Sequence, residues 1–243
     1  MNATTLPTPA PAEDTPRLLD PARLDSPETL LRSEPFPFLI ARGQIPDTAR
    51  EDLARDFPRY PNAGFFPWRR EECGPALNRL IDDLGAPAFA DAIGARLGIP
   101  HLGRYPSLVT LCRSLNRRHG TIHTDSRSKV VTALVYLNED WPETSGGCLR
   151  FLNCIDDIDD LVVPELRPLY GHLAAFARAD NSFHGHLPHE GERRVVQIAW
   201  LTSEEEKLRK TRRGQFSRIF KRLFSAIDRR IGAGRDRNAA HRD

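Results

Sequence analysis

A histidine and an aspartate two residues apart, His123 and Asp125, stand just before a β-rich run in the segment "GTIHTDSRSKVVTALVYLNEDW". In an extended chain, residues i and i+2 point to the same face, so the imidazole and the carboxylate would project side by side as two ligands of a metal site. The pair alone is weak evidence, because 8 histidines and 33 acidic residues produce about one such match by chance. A loop histidine followed by a turn aspartate is the competing interpretation.

A third ligand is available downstream in "NSFHGHLPHEGERRVVQIAW", where His184 precedes a glycine. Two histidines and one carboxylate on one face of iron leave three coordination positions open, as in the non-haem Fe(II) oxygenases. The keto acid end of 2-oxoglutarate can fill two of them and O2 the third. The far carboxylate then needs a fixed partner, which an arginine such as Arg194 supplies bidentately. His186 would share the face of His184 and is the alternative ligand.

The composition is that of an ordinary globular protein, with 40% hydrophobic and 28% charged residues in a chain of 243. The four cysteines form no CxxC pair and no zinc-finger spacing, which favours reduced thiols in a cytoplasmic protein. We expect neither a signal peptide nor a membrane-spanning segment, since no apolar run reaches the required length.

Helical and extended patterns occupy different parts of the chain. Capping-box spacing and apolar periodicity predict helices at 48–57, 75–84 and 87–97. From about residue 105, short β-rich runs alternate with clusters of Gly, Pro, Asn and Asp. Helices followed by many short strands predict an α+β fold whose strands close as a sandwich or jelly roll.

The two ends of the chain differ from its body. Residues 1–30 are rich in proline and predict a disordered tail, which leaves 31–203 as the folded domain. Residues 204–243 hold 13 Lys and Arg against 6 Asp and Glu, a net charge of +7. Within them, 215–231 places seven large apolar side chains on one helical face. Such a basic amphipathic helix predicts either binding to an anionic membrane surface or packing on a partner or on the protein's own core.

The motifs "HTD", "LVYLNEDW", "SGGCLRFL", "SFHGHLP" and "RRVVQIAW" together resemble the Fe(II)/2-oxoglutarate-dependent dioxygenases, in particular bacterial prolyl-4-hydroxylase-like members, over residues 34–203. The resemblance implies a double-stranded β-helix (jelly roll) with N-terminal helices packed on one sheet, followed here by a C-terminal helix. It implies His123, Asp125 and His184 as the catalytic iron ligands. It also implies Fe(II), with 2-oxoglutarate and O2 as co-substrates and ascorbate as a stimulant of turnover.

An arginine near the end of the domain is implied as the partner of the 2-oxoglutarate C5 carboxylate. Arg193 and Arg194 compete for this role, because adjacent strand residues face opposite sides. The spacing to Trp200 that is common in the family selects Arg194. Tyr136 in "VYLN" matches a tyrosine that, in some relatives, donates its hydroxyl to the same carboxylate. Arg113 stands where some relatives have a tyrosine, so the co-substrate contacts of its strand stay unassigned.

The carboxylate of Asp125 implies hydroxylation, because related halogenases lack it. We therefore expect an oxidoreductase that hydroxylates a substrate and releases succinate and CO2. The alternative is a catalytically silent barrel that binds metal or 2-oxoglutarate as a sensor or scaffold through its basic tail.

The sequence does not distinguish a peptidyl substrate from a glycan or lipid intermediate or a small metabolite. It does not indicate the oligomeric state either. Specificity is expected in loops 59–75, 114–122 and 154–169. We expect no nucleic acid partner, and a cytoplasmic location that is peripheral at the inner face of the membrane through 215–231.

Overall fold

The computed structural model describes residues 17–212 and is built around a seven-stranded antiparallel sheet. Its strands are β1 (Leu30–Arg32), β2 (Phe38–Ala41), β3 (Phe65–Pro67), β4 (Ser107–Leu115), β5 (Lys129–Tyr136), β7 (Leu173–Ala177) and β9 (Gly191–Leu201). They lie in the order β1-β2-β7-β5-β9-β4-β3. The β-rich character predicted from about residue 105 onward is confirmed, since β4, β5, β7 and β9 all lie in this part of the chain.

A smaller second sheet faces the large one. It pairs β6 (Arg150–Phe151) with β8 (His184–Gly185), and single bridges extend it from Leu149 to Leu166 and from His123 to His184. The two sheets enclose an apolar layer in which Phe36, Phe38, Phe151 and Phe176 pack ring against ring. The predicted jelly-roll fold is confirmed by this arrangement.

Three α-helices cover the outer face of the large sheet: α1 (Arg50–Asp56), α2 (Pro75–Gly85) and α3 (Pro87–Leu97). They correspond to the three predicted helices. Side chains of the central strands alternate between the helical layer and the inter-sheet layer, as the two-residue period of a strand requires. On β9, for example, Val196, Ile198 and Trp200 pack with the helices, whereas Val195 packs between the sheets.

The folded domain begins earlier than the sequence predicts. Leu18, Leu19 and Leu24 are buried in the helical layer, and a short 3-10 helix spans Pro21–Asp25. The prediction of disorder for 1–30 is therefore wrong for 17–30. The prediction relied on the proline content of the whole segment, whereas three buried leucines supply enough apolar surface to order its second half.

At the other end, residues 204–212 are helical, and the predicted amphipathic stretch 215–231 lies outside the described residues. Within 17–212, none of the helices has the length and apolar character needed to cross a membrane.

Candidate metal centre and its cavity

His123 and His184 lie on neighbouring segments of the smaller sheet. The backbone N–H of each donates to the carbonyl of the other, at 3.1 and 3.0 Å, so the two residues form a directly opposed pair. Their ring centroids are 4.4 Å apart. Asp125 follows two residues after His123, as the extended "HTD" segment predicts. One ligand atom from each of the three residues lies within 4.8 Å of the others.

The histidine rings are oriented by backbone carbonyls. His123 Nδ1 donates to Thr121 O and His184 Nδ1 donates to Ser182 O, both at 2.9 Å. A carbonyl only accepts, so each ring carries a proton on Nδ1. The lone pair available to a metal in the neutral ring is then the one on Nε2. Metal-bound histidines typically have this kind of partner on the second nitrogen. The two rings are therefore prepared to bind a cation.

The protonation states also suit a cation. Burial lowers the pKa of His184 to about 4, against the opposing charge of Asp125, so the ring is neutral at pH 7. Burial alone would raise the pKa of Asp125. The charges of Lys129 and His184, with hydrogen bonds from Lys129 and Thr132, hold it below its usual value. A neutral imidazole and an ionised carboxylate are the ligand forms that metals require.

Two side chains that sequence analysis missed position the carboxylate of Asp125. Lys129 Nζ donates to Oδ1 at 2.6 Å, and Thr132 Oγ1 donates to Oδ2 at 2.5 Å. Thr132 lies two and four residues before the inward-facing Leu134 and Tyr136 of β5, so strand alternation predicts that it also faces inward. Alternation does not predict this for Lys129, because the register of β5 against β9 shifts between Lys129 and Val131. Such a β-bulge redirects a side chain without a sequence mark.

The three residues line a cavity of about 430 Å³ between the two sheets. Its other lining residues combine apolar side chains with basic and polar ones: Phe65, Arg118, His119, Gly120, Thr121, Lys129, Thr132, Leu134, Leu149, Phe176, Gly185, His186, Arg193 and Gln197. Asp125 is the only acidic residue among those that line the cavity.

Arg193, not Arg194, faces this cavity, so the predicted orientation of Arg194 is wrong. Arg194 and Trp200 do share one face of β9, but that face carries the residues that pack with the helices. Arg194 instead pairs with Glu192 beside a second, smaller cavity. Gln197 lies on the cavity face with Arg193. Gln197 lies four residues after Arg193 and therefore on the same face of the strand. A polar residue among the apolar ones of β9 was the sequence signal that could have selected Arg193.

Arg193 is only 3% exposed, and in the part of the chain that the structure describes no carboxylate pairs with it. Its Nε donates to Gly147 O at 2.8 Å. The nearby thiols of Cys112 and Cys148 do not neutralise it, because burial raises the pKa of each to about 11. A buried cation without a counter-ion is costly, which points to an anionic ligand.

Tyr136 lies beside Arg193, with the guanidinium carbon 5.2 Å from the ring centroid. Burial raises its pKa, against the opposing charge of Arg193, so the phenol is protonated at pH 7 and can donate. Its buried Oη nevertheless has no hydrogen-bond partner of acceptable geometry among residues 17–212. Buried hydroxyls without a partner are rare. Tyr136 is not among the residues that line the cavity, and it adjoins the cavity through Arg193.

His186 and Arg113, which were considered from sequence, and two further histidines near the site lie in different places. His186 lines the cavity, and its Nδ1 donates to Leu187 O at 2.8 Å, but it does not join the three-residue ligand group. Arg113 lies outside the cavity lining, near Phe57 O and Glu192. His189 stacks on Trp141 at 4.5 Å, and His172 bonds Arg167 O.

Comparison with known proteins agrees with this geometry. Residues 110–202 match the sequence model of the 2OG-Fe(II) oxygenase superfamily. A prolyl-4-hydroxylase from Pseudomonas putida has a similar structure, with a TM-score of 0.50 and 20% identity, covering 68% of this chain and 92% of that one. No curated protein matches the chain by sequence.

Two further solved structures are similar at 16% identity. The prolyl hydroxylase of Trichoplax adhaerens, in complex with a hypoxia inducible factor peptide fragment, has a TM-score of 0.49 and covers 70% of this chain and 86% of that one. The viral collagen prolyl hydroxylase of Paramecium Bursaria Chlorella virus-1 has a TM-score of 0.47 and covers 67% and 94%.

Proposed function

Residues 110–202 match the 2OG-Fe(II) oxygenase superfamily, whose members use Fe(II), 2-oxoglutarate and O2, and we propose that the chain is an active hydroxylase of this family. In this proposal it oxidises a substrate and releases succinate and CO2. The observation that carries the proposal is a complete ligand group, His123, Asp125 and His184, opening into the same cavity as an uncompensated buried arginine.

The residues fit the metal and the co-substrate separately. Two imidazoles and one carboxylate are the donor set of non-haem iron oxygenases, and the positions they leave open serve a chelating acid and O2. Arg193 and Tyr136 would hold the far carboxylate of 2-oxoglutarate. Among residues 17–212, the guanidinium of Arg193 has no carboxylate partner and the buried hydroxyl of Tyr136 has no hydrogen-bond partner. This replaces Arg194 with Arg193 and keeps Tyr136.

Bound Fe(II) supplies the redox chemistry, in which O2 and 2-oxoglutarate are consumed together with the substrate. The chain itself supplies position. Lys129 and Thr132 hold the Asp125 carboxylate in one orientation, and the two backbone carbonyls hold the histidine rings. Leu134, Leu149 and Phe176 line the cavity with apolar surface and exclude water from it.

The test is succinate and CO2 formation by the purified full-length chain with Fe(II), 2-oxoglutarate and O2. Asp125→Ala is expected to remain folded by circular dichroism and to lose turnover and metal binding, because a facial ligand is removed. Full turnover by a folded Asp125→Ala protein would contradict the assignment of the ligands. Metal and 2-oxoglutarate binding without turnover, with any substrate supplied, would favour the silent barrel instead.

A further inference from the structure

The residues that line the cavity differ in exposure, and we call the buried ones its closed end and the exposed ones its open end. At the closed end Arg193 and His184 are buried, at 3% and 6% exposure. At the open end Arg118 and Phe65 are exposed and His119 is half-buried. Phe65, the first residue of β3, and Arg118 fall within the segments 59–75 and 114–122, where substrate specificity is expected. The open end is therefore the part of the cavity that a substrate meets.

Of the three long-chain cations that line the cavity, two have roles already. Arg193 faces the closed end beside Tyr136, where the proposed function places 2-oxoglutarate. Lys129 pairs with Asp125 at 2.6 Å. Asp125, the one carboxylate in the lining, is therefore paired, and neither Arg193 nor Lys129 is free to bind a substrate.

Arg118 is the third cation and has no such partner. Among residues 17–212 its guanidinium forms neither an ion pair nor a hydrogen bond. Its neighbour Arg117 behaves differently, since Arg117 Nε pairs with Glu190 at 3.3 Å and its side chain does not line the cavity. The chain thus directs one of two adjacent arginines to an acid of its own and the other to the cavity.

The loop that carries Arg118 is fixed to the metal-binding strand. Asn116 Oδ1 accepts from Arg118 N at 3.1 Å, and Asn116 O accepts from His119 N at 3.0 Å. Farther along, Gly120 O accepts from His186 N at 3.2 Å. The backbone of Arg118 is therefore held at a set position relative to His184, as a substrate-orienting group requires.

We infer that the substrate carries an anionic group, a carboxylate or a phosphate, that Arg118 binds at the cavity mouth while an apolar part contacts Phe65. This inference rests on the proposed function. Among substrates, a cavity mouth whose free charge is a guanidinium favours anionic groups over cationic ones, because the one lining carboxylate is already engaged at the metal-binding group. Arginine suits both oxyanions because its planar fork binds either one bidentately.

The test uses full-length protein loaded with Fe(II) and 2-oxoglutarate, and a cell extract separated by ion exchange into anionic, neutral and cationic fractions. Each fraction is scanned by mass spectrometry for species that gain one oxygen only when the enzyme is present. The oxidised species are expected in the anionic fraction. Phosphatase treatment of that fraction before the reaction distinguishes a phosphate from a carboxylate.

Arg118→Gln and the matched control Arg117→Gln are then compared on the species found. Arg118→Gln is expected to raise its KM about tenfold or more, because a charge-assisted contact is lost, and Arg117→Gln to leave it unchanged. Calorimetric binding of Mn(II) and 2-oxoglutarate should be equal in all three proteins, which separates substrate binding from co-substrate binding.

Two outcomes overturn the inference and leave the oxygenase function intact: oxidised species confined to the neutral or cationic fraction, or equal KM values for the two variants. Oxidised product in no fraction, together with no 2-oxoglutarate turnover, contradicts the proposed function itself.

Discussion

Asp125 makes both of its strong hydrogen bonds within a single strand and the turn before it. Lys129 and Thr132 lie four and seven residues downstream, at the start of β5, and each donates to a different carboxylate oxygen. A ligand held from both sides loses little freedom when a cation binds. Groups in this outer position commonly change metal affinity or activity by about 10–100-fold when removed.

Thr132→Val tests this positioning role. Valine keeps the shape of the buried side chain and removes the donor to Asp125 Oδ2, so we expect metal affinity to fall about 10–100-fold with the fold retained. Isothermal titration with Mn(II) measures it. Thr110→Val on β4, which β9 separates from β5, is the control. Thr110 Oγ1 is buried without a hydrogen-bond partner among residues 17–212, so its loss should leave metal affinity unchanged. Equal affinities for the two variants would remove Thr132 from the site.

Exchanging one of the adjacent arginines on β9 distinguishes the two candidates for the co-substrate anchor. Arg193→Ala should weaken 2-oxoglutarate binding by about 2–5 kcal/mol, because a buried charge-assisted pair is lost. Arg194→Ala should change it little, since Arg194 pairs with Glu192 outside the main cavity. Titration of 2-oxoglutarate into Mn(II)-loaded protein gives both values, and thermal denaturation checks that each variant is folded. The reverse order would restore Arg194 as the anchor.

At the scale of elements, the site depends on a close contact between the loop 116–121 and the segment that begins with β8. The two approach so closely that a Cβ at Gly120 would lie 2.4 Å from His186 O and 2.5 Å from His186 Nδ1. Gly120 also has a φ of +103°, which side chains other than glycine rarely adopt. This glycine therefore sets the distance between the loop that carries Arg118 and the strand that carries His184.

Gly120→Ala should consequently damage the metal site as well as the fold. Gly98→Ala is the matched control, because Gly98 has a φ of +74° but open space where its Cβ would lie. The control should lose only about 1 kcal/mol of unfolding free energy, from backbone strain. Gly120→Ala should lose more, because backbone must move, and should also bind Mn(II) more weakly. Chemical denaturation and metal titration measure the two effects. Metal affinity equal to that of Gly98→Ala would mean that the loop does not set the site.

At the scale of the whole molecule, the large sheet separates two apolar layers with different tasks. Its outer face packs on the helices, and its inner face carries both the inter-sheet core and the cavity. The fold class, the three helices and the ligand group followed from sequence, because each depends on local periodicity or on spacing within a short motif. The alternation of residues along a strand also predicts which side chains face the cavity, as for Thr132 on β5.

The features that the sequence did not predict depend on contacts between segments that are distant in the chain. Arg193 and Arg194 are adjacent on one strand, and local pattern distinguishes them only through the polar Gln197 on the face of Arg193. Packing of Trp200 against the helices is what turns Arg193 towards the cavity. Lys129 reaches Asp125 through a shift in register, and a register is a property of two strands together. Arg118 lies in a loop whose path is set by its contact with β8. None of these relations is local in the chain.

The C-terminal region contains a helical part, 204–212, that contacts the domain, and a part beyond residue 212 that lies outside the described residues. Residues 204–212 are helical, and Lys210 Nζ donates to Ser126 Oγ at 2.9 Å, one residue after the proposed metal ligand Asp125. A protein that ends at residue 203 loses this contact, so the predicted domain boundary is a poor place to truncate. Residue 212 is the better one.

We expect the protein 1–212 to keep the 2-oxoglutarate turnover of the full-length chain, and the protein 1–203 to be less stable and less active. We also propose that 215–231 binds anionic membrane, since each Lys or Arg near such a surface adds about 1 kcal/mol. Co-sedimentation should then show that full-length protein, but not 1–212, binds anionic vesicles more than neutral ones, and less as salt increases. Equal binding to both lipids, or aggregation of 1–212, would instead place the apolar face of 215–231 against protein.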